Sequence, residues 1–353
     1  MSVIQEDIEH VIWLQTGFLG DIILQTAAIS LLKKERPAIK QTLITTPLGV
    51  AALKGHKDIH LLCSFAKRES LIGSFRNVKK HLKESGIGKK NAVFLKPHLS
   101  ARSSLLARYL GFKTKTFMES QLSFLSQKRS QRVALLHEAQ RISLLLEGMP
   151  LNIPRVKIQK ARPTLPKRAL PSQWASLFNG EKKNIALAPG SVWGTKKWPK
   201  ENYGILARKL LKKYPDYRII LLGSKEEMPC CDSIMASCQK EDNQKNLLNL
   251  AGKTSLTDLN GIYPNLSLLV ANDSSPIHYA SAFNIPTIAI FGATVPAMGF
   301  APLAEGSRTI QLENLACRPC SDHGPKVCPL THFKCMKELP TDLVFSACQN
   351  VLS

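Results

Sequence analysis

The sequence predicts an α/β protein built from two doubly wound halves, each a parallel sheet covered on both faces. Short apolar runs alternate with stretches of helical period through the first half, and the same alternation restarts in the second. Between Pro154 and Pro171 it stops. That segment is rich in Pro, Lys and Arg and has no hydrophobic period, so it reads as a linker. A chain of 353 residues is also too long for one ordinary domain, and either half is large enough to bury a core. The expected organisation is a first domain over 1–160, a linker over 161–172, a second domain over 173–340 and a terminal helix over 341–353. A ligand is expected in a cleft where the two carboxyl-end surfaces face each other.

Residues 11–14 read as the first strand and lead into Gln15-Thr16-Gly17-Phe18-Leu19-Gly20-Asp21. From Asp21 to Lys34 apolar residues recur at helical spacing (Ile22, Ile23, Ala27, Leu31), and Arg36-Pro37 closes the helix. Further strands are expected at 41–46, 59–63 and 92–95, the last ending at Lys96-Pro97-His98. Helices are expected at 51–54, 71–83 (basic and amphipathic), 100–110 and 132–147. In the second half the strands are 184–188, 218–222, 247–250, 266–271 and 287–291. Its helices are 200–213, 226–237, a small-residue piece after Asp273, and 341–352.

Hydrophobic content of 44% and charged content of 21% exclude a disordered chain. The unusual quantity is charge: 48 Lys+Arg against 26 Asp+Glu, a formal +22. Such an excess attracts polyanions, whether nucleic acid, an anionic membrane surface or a phosphorylated substrate. The first ten residues are acidic and lack the basic-then-apolar order of a secretory signal. No uninterrupted apolar run reaches the ~18 residues of a spanning helix. A cytosolic protein, or one peripheral on a membrane, is therefore expected. Cys63, Cys230, Cys231, Cys238 and Cys348 are scattered, as suits a reducing compartment.

The chain is organised around Ala271-Asn272-Asp273-Ser274-Ser275-Pro276-Ile277-His278. Read as strand, turn and helix, it places Asp273 and Ser274 at the carboxyl end of a strand, where ligands sit in open parallel sheets. Helix-start amides there favour anions, although Asp and Ser are also ordinary caps. The glycine pair Gly17 and Gly20 is not a dinucleotide fingerprint, because the third glycine of that motif is missing. Asp21 is either a first-turn helix acid or a general base. The loop Pro189-Gly190-Ser191 to Lys196-Lys197-Trp198-Pro199 presents the hydroxyls of Ser191 and Thr195 with two ammonium groups suited to phosphate. Glu226 follows a strand-end glycine, where a carboxylate accepts from ribose hydroxyls or complements a helix dipole. Gly252 lies in a small-residue turn, Leu250 to Leu256, suited to the approach of a base.

These stretches, taken in order, resemble those of the lipopolysaccharide heptosyltransferases: Gly17-Phe-Leu-Gly20-Asp21, Pro189-Gly-Ser191 through Lys196-Lys-Trp198-Pro199, Ala251-Gly252-Lys-Thr-Ser-Leu256, and Asn272-Asp273-Ser-Ser-Pro-Ile-His278. The Pro-Gly-Ser…Lys-Lys-Trp-Pro form is most like the heptosyltransferase II branch. The resemblance covers nearly the whole chain and implies a GT-B architecture, two Rossmann-like domains facing across a cleft. It implies transfer of L-glycero-D-manno-heptose from ADP-heptose to the inner core of lipopolysaccharide, with inversion at the anomeric carbon. The enzyme would then be cytoplasmic and peripheral on the cytoplasmic face of the inner membrane. By position it makes Asp21 the general base and Lys196 the group that stabilises the departing ADP. Ser191, Thr195, Glu226, Gly252, Asp273, Ser274, Ser275 and His278 become donor-binding, and Gly20 and Lys115 lie on the acceptor side. The family's usual Asp-Ser/Thr-Gly is Asp273-Ser274-Ser275 here. No Asp-x-Asp pair occurs, so no metal cofactor is expected and fixed cations would neutralise the diphosphate.

Cys317, Cys320, Cys328 and Cys335, with His323 and His332 among them, contain one C-x2-C knuckle of zinc type. The second pair departs from knuckle spacing, which leaves either a structural zinc or reduced, partly buried thiols. Two other classes of function fit parts of the sequence: a sugar-nucleotide epimerase of the same architecture, and a basic nucleic-acid-binding protein. Against the latter, the aromatic content is only 7%, with no basic patch interleaved with aromatics.

Overall fold

In the computed structural model, residues 8–66, 70–148, 151, 153–178, 180 and 182–353 are described; the start of the acidic opening segment, 1–7, lies outside them. The chain divides into two compact units, one ending at Pro166 and the other beginning at Lys167. The first holds strands β1 (His10–Gln15), β2 (Lys40–Thr45), β3 (Leu61–Ser64), β4 (Ala92–Lys96), β5 (Lys113–Phe117) and β6 (Lys128–Ser130). Its helices are α1 (Leu19–Glu35), α2 (Pro47–Leu53), α3 (Leu71–Glu84), α4 (Ala101–Leu110), α5 (Glu138–Ser143) and α6 (Arg155–Ile158). The second unit holds β7 (Lys183–Ala188), β8 (Tyr217–Leu221), β9 (Leu247–Asn249), β10 (Leu268–Asn272), β11 (Thr287–Phe291) and β12 (Arg308–Gln311). Its helices are α7 (Ser172–Ala175), α8 (Lys200–Lys213), α9 (Met228–Ser237), α10 (Leu256–Ile262), α11 (Ser275–Ala282), α12 (Lys334–Lys337) and α13 (Thr341–Leu352).

Both sheets are six-stranded, with neighbours pairing in parallel, in the orders β3-β2-β1-β4-β5-β6 and β12-β11-β10-β7-β8-β9. In each, the chain starts at the centre, runs outward over three strands, and crosses back to fill the other side. Because βαβ crossovers are right-handed, this reversal puts the helices of the two halves on opposite faces. The central strands are covered on both sides and read as continuous apolar runs rather than alternating ones. All of β1 and β10 is buried. The reversal also opens a crevice at the carboxyl ends of the two innermost strands, the usual ligand position in such sheets. In the first unit it lies beyond β1 and β4, and in the second beyond β7 and β10.

Several elements differ from the sequence-based expectation. The expected helix over 132–147 is reduced to α5 and a 3-10 turn, Leu144–Leu146. Arg141 explains this: its guanidinium reaches back to the carbonyls of Val133 (3.1 Å) and Ala134, which are thereby kept out of a helical ladder. The Pro-rich stretch read as a linker holds α6 and buries Ile158, Ala161 and Leu165 in the first unit. There the Thr164 N–H donates to Thr26 Oγ1 (2.8 Å). Strands β5, β6 and β12 and helix α10 were not anticipated. The edge strands β6 and β12 are Lys-Arg-Ser and Arg-Thr-Ile-Gln, and an edge needs no apolar run because one side stays open. Helix α13 buries Val344, Ala347 and Cys348 in the main core cluster of the second unit.

Candidate functional site

The site in the second unit is built on one buried amide. Asn272, the last residue of β10, is fully buried. Its Nδ2 donates to the carbonyls of Pro189 (2.7 Å) and Gly190 (3.3 Å), and its Oδ1 accepts from Trp198 N–H (3.1 Å) and Tyr203 O–H (3.2 Å). One side chain thus clamps the loop after β7 to the end of β10. Replacing Asn272 with alanine leaves a buried indole-residue amide, a phenol and two carbonyls short of partners. A loss of about 3 kcal/mol in unfolding free energy is expected by urea titration.

That clamp brings Lys196 and Asp273 together. Lys196 Nζ lies 2.6 Å from Asp273 Oδ2, and Thr294 Oγ1 donates to the same oxygen at 2.6 Å. The two charged side chains are 12% and 6% exposed. Ser274 caps the start of α11 with extended backbone, and its hydroxyl leans back on the carbonyls of Asn272 (3.2 Å) and Gly190 (3.4 Å). Ser275 and Pro276 form the first turn, and His278 is buried with its ring 6.2 Å from that of Phe300. Ser191 is buried and its Oγ accepts from Trp193 N–H at 3.3 Å. The Thr195 hydroxyl donates to the Pro325 carbonyl. A methyl group at Gly194 would meet the Lys326 carbonyl at 2.3 Å, so this loop is shaped against the 317–335 segment.

Glu226 is exposed, and a hydrogen bond from the Ser224 side chain holds its carboxyl below the usual range. The adjacent Glu227 is the carboxylate that lies over the strand ends. Its Oε2 accepts from Ser224 N–H (2.7 Å), and a Cβ at Gly190 would fall 1.7 Å from its Oε1. Gly252 has φ of 70°, a conformation that favours glycine, and a Cβ there would also displace the Met228 side chain, whose Sδ would lie 2.5 Å away.

In the first unit Asp21 lies in the first turn of α1, one position after Gly20, and its Oδ2 accepts from Phe18 N–H (3.2 Å). A Cβ at Gly17 would sit 2.7 Å from that oxygen, so the bare glycine lets the carboxylate fold back over the turn. Across the same crevice, His98 follows β4. Its Nδ1 is within 2.8 Å of Ser103 Oγ, 3.1 Å of Ser100 Oγ and 3.4 Å of Thr16 Oγ1. Lys96 is fully buried and donates to the His98 carbonyl (2.8 Å) and the Ser120 hydroxyl. Lys115 is buried inside β5, with its ammonium on the Glu147 carbonyl.

Burial pushes both Lys96 and Lys115 down to about 8, from 10.5. Between those values the unfolded chain holds a proton that the folded chain has lost, so each lysine makes stability rise with pH across that window. Buried thiols and phenols titrate in the opposite sense, so the readout is a difference from wild type. The stability of Lys96→Met relative to wild type is expected to fall by about 1 kcal/mol per pH unit from pH 8 to 10, measured by urea unfolding.

Asn272, Thr294, Glu227, Lys96 and His98 also stand at these strand ends and were not singled out as site residues from the sequence. Of these, Lys96 had a readable signal: a lysine closing an otherwise apolar strand. In the cysteine segment, Cys317, Cys320 and Cys328 are half-buried, Cys335 is buried, and all four are free. Burial pushes the Cys335 thiol up to about 11. Arg318 ties the segment to the sheet through the carbonyls of Leu312 (2.8 Å), Thr294 (2.8 Å) and Gly292. Among the described residues no group of three or more His, Cys, Asp or Glu is arranged to hold a metal ion.

Two parallel sheets of this order on one chain, the second with a lysine at its switch-point crevice, define an α/β protein of the GT-B glycosyltransferase type. The chain belongs to glycosyltransferase family 9 (heptosyltransferase), whose model matches residues 89–330. It is 34% identical to the lipooligosaccharide heptosyltransferase 2 of Campylobacter jejuni serotype O:2 over 178 residues, 50% of this chain and 53% of that protein. To the lipopolysaccharide heptosyltransferase 2 of Escherichia coli K12 it is 32% identical over 136 residues, 38% of each. The chain thus spans about half the length of the Campylobacter relative, and less of the E. coli one. Among solved structures, its fold is similar to E. coli ADP-heptose lps heptosyltransferase II, with a TM-score of 0.77 at 18% identity over 97% of this chain and 98% of that one. The family 9 glycosyl transferase of Veillonella parvula gives a TM-score of 0.78 at 19% identity over 99% and 98%.

Proposed function

We propose that the protein transfers L-glycero-D-manno-heptose from ADP-heptose to the inner core of lipopolysaccharide with inversion, as a heptosyltransferase II-type enzyme. The observation that carries this reading is the Lys196–Asp273–Thr294 group at the switch point between β7 and β10. In the reaction the bond from the anomeric carbon to the ADP oxygen breaks as an acceptor hydroxyl attacks. Negative charge grows on the diphosphate, and a lysine held in place beforehand stabilises it without reorganising. Asp273 and Thr294 hold that ammonium ready. Ser191, Thr195, Ser274, Ser275 and His278 surround the same strand ends, with Gly252 and Glu226 on the adjoining loops. Asp21 removes the proton of the incoming hydroxyl, since an alcohol is a poor nucleophile while it keeps its proton. Gly20 and Lys115 belong to this acceptor side.

Within this reading, Glu227 rather than Glu226 is better placed to accept from the ribose. Glu227→Ala is expected to raise the donor KM about tenfold, with Glu226→Ala within twofold of wild type, in initial-rate assays. The enzyme works without a metal cofactor and peripherally on the cytoplasmic face of the inner membrane, and the net charge of +22 supports attraction to an anionic surface. The test is mass spectrometry of a truncated core acceptor incubated with ADP-heptose. One added heptose per ADP released is expected. Donor turnover with no gain on the acceptor would point to an epimerase or hydrolase instead.

A further inference from the structure

The positive charge is not spread evenly. From Ser70 to Met118 every charged residue except Glu84 is a Lys or Arg. Much of that segment forms two neighbouring helices of the first unit. Helix α3 turns Phe75, Val78 and Leu82 into the core and exposes Arg76, Lys79, Lys80 and Lys83, with Ile72 64% exposed at its start. Helix α4 turns Leu106 and Leu110 inward and exposes Arg102, Leu105 and Arg108 at three-residue spacing.

The two exposed sides are continuous. Phe75 of α3 meets Tyr109 of α4 at 5.6 Å between ring centres, and Lys79 Nζ lies 5.0 Å over the same Tyr109 ring. The turn Ser123–Leu125 packs beside α4, held by Ser104 Oγ donating to the Gln121 carbonyl (2.6 Å), and leaves Phe124 70% exposed. Glu84, the single acid between Ser70 and Met118, lies 3.8 Å from Lys80. Exposed apolar side chains are ordinary when scattered. Here three of them stand among charges that are nearly all basic, the composition of an interfacial membrane surface. A single-stranded nucleic acid would need open aromatic faces to stack on. Of the two rings between the helices, Phe75 is buried and Tyr109 is overlaid by Lys79, which leaves Phe124 as a lone open ring rather than a stacking platform.

We propose that the α3–α4 face of the first unit docks on an anionic lipid bilayer. Its lysines and arginines sit at the phosphate level, and Ile72, Leu105 and Phe124 enter the boundary between headgroups and acyl chains. This rests on the peripheral location proposed above and says where on the molecule it is built.

The test is co-sedimentation of the full chain with vesicles of phosphatidylcholine, alone or mixed with phosphatidylglycerol, free of any glycolipid acceptor. Wild type is expected to pellet with the mixed vesicles and not with the neutral ones. The variant Lys79→Gln/Lys80→Gln/Lys83→Gln/Arg108→Gln is expected to bind at least about 100-fold more weakly. Leu105→Ser/Phe124→Ser is expected to weaken binding about tenfold without changing its salt dependence. Both variants should keep wild-type transfer to a detergent-dispersed acceptor, which also verifies folding. Wild-type binding retained by the four-site variant would overturn the docking face and leave the peripheral location standing. No wild-type binding to anionic vesicles would overturn both. Binding to single-stranded RNA that outcompetes the vesicles would replace the bilayer with a different partner.

Discussion

Replacing Lys196 with methionine is expected to lower kcat for sugar transfer by about 100- to 1000-fold, with a smaller change in donor KM. The asymmetry follows from timing: charge on the diphosphate is greatest as the glycosidic bond breaks, so the ammonium contributes more to the transition state than to the ground state. The substitution has a second consequence. Asp273 is only 5% exposed, and without Lys196 its carboxylate keeps Thr294 as a partner but loses its counter-charge. A buried charge left this way costs about 3–5 kcal/mol of stability. The double variant Lys196→Met/Asp273→Asn removes both charges, so most of the stability should return while kcat stays low. Lys196→Arg keeps the charge and should lose less activity than methionine. If the double variant recovered activity along with stability, Lys196 would be structural only.

The second large effect is expected at Asp21. Its carboxylate accepts from Phe18 N–H, so the observed geometry already includes helix capping. Asparagine separates the two roles: its amide oxygen can still accept from Phe18, but it cannot take up a proton. Asp21→Asn is expected to lower kcat by about 100- to 10,000-fold, with unfolding free energy within about 1 kcal/mol of wild type. Alanine should match the asparagine loss in rate and add a capping cost of about 1 kcal/mol. A fully active Asp21→Asn would reduce the residue to a cap. The pH profile is a further check, because the acid limb of kcat should disappear in the variant.

Much of the fold was legible in the amino-acid sequence because doubly wound sheets write themselves in apolar runs. Strands β1, β4, β7, β10 and β11 are central and almost wholly buried, and each contains a short unbroken hydrophobic stretch. Strands β6 and β12 are edges, where polar residues suffice, and they left no such trace. The helix expected over 132–147 shows a different limit. Its apolar spacing was real, but Arg141 uses carbonyls that a helix would have needed. In the site, residue types at strand ends pointed to Ser191, Lys196 and Asp273. Asn272 could be quoted from the sequence but not understood, because its role depends on four partners that lie about 70 to 80 positions away. Glu226 and Glu227 cannot be told apart by composition. The approach of Glu227 to the bare Gly190, on the loop after another strand, exists only in three dimensions.

The two sheets share one strand order, and each carries a lysine at its switch point, Lys96 in the first unit and Lys196 in the second. Either crevice therefore presents a cation to a nucleotide, and the proposal places ADP in the second. The structure of the full chain with ADP bound tests that placement. The expected result is a diphosphate oxygen within hydrogen-bond distance of Lys196 Nζ, at the start of α11. ADP seated instead beyond β1 and β4, beside Lys96 and Asp21, would contradict it.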